Sequence, residues 1–157
     1  MGRADGVDAM SLGRTLQVLT AAVLIGAGAW LAHLHVVSQT YRPIVRLASP
    51  DGLTYTTVQD EVTERRACGA ANDRFLGPIK ELCKQCQVVF ARCERKLDGL
   101  ELALAEGAAV PHYQVYAPGL RMAIAGPAPA ARASCEFVAA DMVKRGLRSA
   151  ACLNPRP

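Results

Sequence analysis

Between Thr15 and Tyr41 the chain carries no Asp, Glu, Lys or Arg. The centre of that run, "LQVLTAAVLIGAGAWLAHLHVV" from Leu16 to Val37, is 22 residues long. At about 1.5 Å of rise per helical residue, such a length crosses a hydrocarbon core roughly 30 Å thick. Lipid offers a bare backbone no hydrogen bonds, so a segment buried there must satisfy its own as a helix. Residues 16–37 are therefore expected to be a transmembrane helix, with the lipid bilayer as their partner. Trp30, His33, His35 and Tyr41 gather toward its end, where amphipathic rings favour the membrane interface. His33 and His35 sit two apart and point to different helix faces, which suits interfacial residues better than a pair of metal ligands.

A cleaved signal peptide is the competing reading. Arg14, a short apolar run and Ala27-Gly28-Ala29 resemble an A-x-A cleavage site, which would leave a soluble periplasmic protein after Ala29. The apolar stretch continues eight residues past that point, which favours an uncleaved anchor.

Flanking charge does not orient the segment: Arg3 and Arg14 on one side face Arg42 and Arg46 on the other. The cysteines do. All six follow the segment, and an even number in a small domain suits an oxidising compartment. This predicts a cytoplasmic stub over residues 1–15, an anchor in the inner (cytoplasmic) membrane and a periplasmic domain over 38–157. Arginine outnumbers lysine 14 to 4, a bias that accompanies high-GC bacterial genomes. Two basic and two acidic residues precede the segment, so the exterior part keeps the whole net charge of +4. No basic run exceeds Arg65-Arg66 and no aromatics interleave with a basic stripe, so nucleic acid is not an expected partner.

Past the connector, "PIVRLAS", the turn "SPDG" and "LTYTTVQ" predict a β-hairpin. "RRACGAANDRFLG" reads as loop with some helix. From Pro78, apolar residues recur at steps of three and four through Ile79, Cys83, Cys86, Phe90, Cys93, Leu97, Leu100 and Leu104. That spacing predicts an amphipathic helix from Pro78, in the first helical position, to a stop at Gly107, which Asp98-Gly99 could divide in two. Val88-Val89-Phe90 also favours sheet, so a strand over residues 86–93 is the competing reading. "HYQVYAPGLRMAIAGP" predicts a second hairpin around Pro118-Gly119, "ARASCEFVAADMVKRG" a helix closing at Gly146, and "LRSAACL" a short extended tail. No fixed-period repeat is visible. The order predicts an α+β domain with helices packed on one face of an antiparallel sheet.

The six cysteines admit three readings. Cys83-x-x-Cys86 has the spacing of a thiol oxidoreductase, but that chemistry needs the pair at a helix N-terminus, and Cys83 falls more than a turn past Pro78. Zinc needs a second ligand pair, and Cys68, Cys93, Cys135 and Cys152 are dispersed while His112 lacks a partner. Haem attachment needs histidine at position 87, which is Gln87. Structural disulfides remain: on a helix Cys83, Cys86 and Cys93 would share one buried face, each bridging to Cys68, Cys135 or Cys152. Fifteen connectivities are open. For antiparallel helices, Cys93 would meet Cys135, with Cys83 and Cys86 sharing Cys152 and Cys68.

Ser134, Ser149, His112, Asp73, Asp98 and Asp141 have no nucleophile motif around them. Asp60-Glu61 beside Glu64 could form an acid site, though a solvated strand end explains it more simply. No cofactor is expected, and a non-catalytic binding or assembly role in the cell envelope is. Its expected partner is cell-wall glycan or another envelope protein. The different-class alternative is a membrane-tethered thiol-disulfide oxidoreductase using Cys83 and Cys86.

Residues 120–153, strand–Gly126-Pro127–Ala-rich helix–Gly146–strand, resemble half of a SPOR domain. That resemblance implies binding to peptidoglycan strands. It covers about 35 of 157 residues and assigns no binding residues.

Overall fold

In a computed structural model, residues 20–32 and 39–156 are described. Residues 20–32 are helical (α1) and belong to a compact unit separate from the domain that begins at Thr40. Among the described residues no helix is long and apolar enough to cross a membrane. The expected span of 16–37 is described only in its middle, and both its ends, including His33 and His35, lie outside the described residues. So does the expected stub, residues 1–15.

The domain is α+β. In chain order it contains β1 (Arg42–Ala48), β2 (Thr54–Gln59), α2 (Arg65–Leu82), β3 (Gln87–Glu94), α3 (Gly99–Glu106), β4 (Tyr113–Ala117), β5 (Leu120–Ala125), α4 (Ala128–Lys144) and β6 (Ala151–Leu153). The strands form one antiparallel sheet in the order β3-β1-β2-β5-β4-β6. Both expected hairpins are present, turning at Gly52 (φ 82°) and Gly119 (φ 80°), where a left-handed backbone favours glycine.

The long helix expected from Pro78 to Gly107 does not form. Helix α2 instead starts at Arg65 and ends at Leu82, with Pro78 inside it. Its inward face is Cys68, Ala71, Asn72, Phe75, Leu76 and Ile79, again in steps of three and four. Gly69, Gly77 and the polar Asn72-Asp73-Arg74 disguise this face as loop. Cys83 to Cys86 is a turn, closed by Cys86 N–H donating to the Cys83 carbonyl at 3.1 Å. Residues 87–94 are strand, as the competing reading had it, and pair along β1 with a bulge between Arg46 and Leu47. Their helix-like spacing joins the end of one helix to the start of another by coincidence. A ladder of backbone bonds to β1, together with Val-Val-Phe, outweighs that local periodicity. Asp98 and Gly107 do bound α3, as Asp98-Gly99 and Gly107 suggested.

A repeat invisible in the sequence emerges at this level. Each half of the domain runs strand, strand, helix, strand, and in each the last strand returns beside the first. The halves meet at the central pair β2–β5, with Thr56 opposite Ala123.

Strand alternation sorts the core into two faces. On one face α2 covers Val45 and Leu47, while α4 places Ala131, Cys135 and Ala139 against Val115, Met122 and Ile124. On the other, Leu104 of the short α3 fills the space over Ile44, Val58 and Ala123. The helices thus pack on both faces, two against one. Asn72, only 4 % exposed, ties α2 down by accepting from Gln59 Nε2 (3.3 Å) and donating to the Arg92 carbonyl (3.0 Å).

Candidate ligand groove

Helix α3 is held on its face by charge as well as by Leu104. Glu101, 6 % exposed, accepts from Arg46 Nη2 at 3.2 Å and from Arg92 Nη2 at 3.4 Å. Both guanidiniums also lie over the Phe90 ring, 4.9 and 4.5 Å from its centroid. Arg46 Nε also donates to Thr56 Oγ1 (3.1 Å) and Arg92 Nε lies 3.4 Å from Glu94 Oε1, so both arginines are fixed while their outer parts stay in water. At its far end α3 stops at Gly107, φ 71°. There Arg121 Nη1 donates to the carbonyls of Leu104 (2.9 Å) and Ala105 and neutralises the negative helix end. A Cβ on Gly107 would stand 3.2 Å from that nitrogen, so glycine serves both the turn and the approach of the guanidinium.

Two clefts flank this end of α3 and meet at Arg42 and Ala105. One, of about 260 Å³, has Glu61, Glu94, Arg95 and Glu106 in its walls. The other, of about 380 Å³, is lined by Gln59, Asp60, Tyr116 and the β4–β5 turn. Together they form a groove along the edge where β1 begins and β2 and β3 end. Arg42 stands in the middle, its Nη2 2.7 Å from Glu61 Oε1. Arg95 lies over the Tyr41 ring at 5.9 Å. Tyr116 is 41 % exposed, with Arg121 over its ring at 5.6 Å. The groove therefore offers carboxylates, an amide, guanidiniums and an accessible aromatic ring. Such a set can accept from and donate to hydroxyls and amides while a ring lies under an apolar sugar face.

The residues singled out in the sequence are scattered by the fold. Asp60 and Glu61 both reach the groove, but Glu61 is committed to Arg42, so the two do not act as a free acid pair. Glu64 is the N-cap of α2, and Asp98 that of α3. Ser134 Oγ lies 3.0 Å from the Tyr55 hydroxyl, and Asp141 binds Arg145 at 2.6 Å. Among the described residues no group of three or more His, Cys, Asp or Glu is placed to hold a metal ion.

All six cysteines are paired, as Cys68–Cys93, Cys83–Cys86 and Cys135–Cys152. This corrects the connectivity expected for antiparallel helices, because Cys83 and Cys86 belong to a turn and Cys93 to a strand. The first and third bonds join the helix of each half to its returning strand. Cys83 is the C-cap of α2, at the opposite helix end from the one that stabilises a thiolate. Nothing in the sequence marks Arg42, Arg95, Tyr116 or Arg121 as site residues, and Arg42 figures there only as a charge flanking the apolar segment. They are lone polar residues on separate elements, with no shared spacing to reveal them. Comparison with known protein families, curated proteins and solved structures finds no match to this chain.

Proposed function

We propose that this chain is a single-pass, membrane-anchored protein of the bacterial cell envelope whose exterior domain binds an extended polar ligand of the cell-wall glycan class. The observation that carries the reading is the groove centred on Arg42, with Tyr116 accessible on one side and a row of charged side chains on the other. Ring stacking plus hydroxyl-directed hydrogen bonds is the chemistry that selects a saccharide. The resemblance of residues 120–153 to half of a SPOR domain points to the same ligand class. Support for the anchor comes from α1, whose described apolar side chains Val23, Leu24, Ile25, Trp30 and Leu31 are all at least 60 % exposed. Three disulfides favour an oxidising, periplasmic location for the domain, with the N-terminus inside.

Incubation with purified cell-wall sacculi tests the ligand. The full chain in detergent is expected to sediment with the sacculi, and Tyr116→Ala or Arg42→Ala is expected to weaken retention at least fivefold. If the unmodified chain stays in the supernatant, the glycan reading fails and an envelope protein becomes the partner to seek.

A further inference from the structure

The three disulfides are not equivalent. Cys68 and Cys135 are each 0 % exposed, and their bonds cross the packed face between helix and sheet. Cys83 and Cys86 are both part-exposed, with exposed Lys84 and Gln85 between them, and their bond spans a sequence separation of only 3. The turn is also closed by backbone hydrogen bonds, Cys83 N–H to the Ile79 carbonyl (2.8 Å) and Cys86 N–H to the Cys83 carbonyl (3.1 Å). Closing so short a loop removes the least unfolded-state entropy of the three. As a staple this bond is nearly redundant, yet it is the one whose two cysteines are both part-exposed, since each of the others has one fully buried end.

We propose that Cys83–Cys86 is a thiol–disulfide exchange site that accepts two electrons from an external dithiol. A thiolate of that dithiol attacks Cys83 Sγ, forming a mixed disulfide and breaking the Cys83–Cys86 bond. The leaving sulfur is Cys86. Cys83 sits on the C-terminal end of α2, whose carbonyls disfavour a thiolate, whereas Cys86 lies beyond that end in the exposed turn. Cys86 takes a proton from water. The second thiolate of the reagent then attacks its own mixed-disulfide sulfur and expels Cys83, which is protonated in turn. The external dithiol leaves as a disulfide and the protein keeps two thiols, so two electrons and two protons are accounted for. The site is independent of the groove: Gln87 begins β3 beside Cys86, and Glu94 at the other end of the strand lines the groove, roughly 25 Å away at about 3.3 Å per residue.

The experiment treats the native full chain with dithiothreitol or with reduced thioredoxin, followed by acid quench, alkylation and peptide mapping over time. Labels are expected on Cys83 and Cys86 at least tenfold faster than on the other four cysteines, with far-UV circular dichroism unchanged. Reaction with dithiothreitol alone assigns a small dithiol as reductant, and reaction with both admits a protein one. A monothiol trap, 2-mercaptoethanol, is expected to leave its adduct on Cys83 at least five times as often as on Cys86. Reduction of Cys83–Cys86 no faster than the other bonds, or only as the domain unfolds, overturns the proposal, and so does an adduct mainly on Cys86. Retention on sacculi that survives this reduction separates the fate of this site from that of the groove.

Discussion

Glu101 shows how much one side chain can hold. It is nearly buried, and it offers a single oxygen to Arg46 and Arg92, which share the Phe90 ring. Glu101→Ala leaves Arg46 stacked over the ring without a carboxylate partner, and leaves Arg92 with only the more exposed Glu94, 3.4 Å from its Nε. The expected loss is about 1–3 kcal/mol, read as a lower urea midpoint at unchanged slope. Gly126 is a second such residue. Its backbone has φ 144°, and an added Cβ would stand 2.7 Å from Leu53 Cδ2 and 3.0 Å from the Gly52 carbonyl. Gly126→Ala is expected to cost about 1–3 kcal/mol, seen as a fall in melting temperature, because strain and overlap act together. An unchanged melting temperature would show that the Gly52 turn yields easily. In the sequence Gly126 is legible as half of a Gly-Pro pair before a helix. That it is pressed against the other hairpin is not legible, because Leu53 is 73 positions away.

At the scale of elements, the two inner disulfides do the same work in each half, joining helix to returning strand over separations of 25 and 17 residues. Removing Cys68–Cys93 by a double alanine substitution is expected to cost about 3 kcal/mol, against about 2 kcal/mol or less for Cys83–Cys86. Chemical denaturation of the two variants side by side checks the order, and equal losses would mean the exposed bond is also structural. The stretch 83–94 explains why elements were only partly legible. Both hairpins, the bounds of α3, helix α4 and the tail strand follow from turn residues and local spacing. Strand β3 does not. Its side chains show no clean alternation, since Gln87, Val88 and Val89 are all exposed. What makes it a strand is its partner β1, some 45 residues earlier.

For the whole molecule, the proposed anchor is the reading with the largest consequence. Alkaline carbonate extraction of membranes from cells producing the full chain is expected to leave it in the pellet, and release into the supernatant would overturn the anchor. A charge-free run from Thr15 to Tyr41, six cysteines beyond it, two turn-bounded hairpins and an Ala-rich helix are properties of contiguous sequence. By themselves they determine an α+β class and two inner elements of each half, because local spacing and turn geometry act over a few residues. The pairing of the cysteines, the doubled strand–strand–helix–strand plan and the groove around Arg42, Tyr116 and Arg121 were decided only in the tertiary structure. Each depends on which strands lie side by side, and that choice is made by burial of the whole sheet between α2 and α4 on one face and α3 on the other.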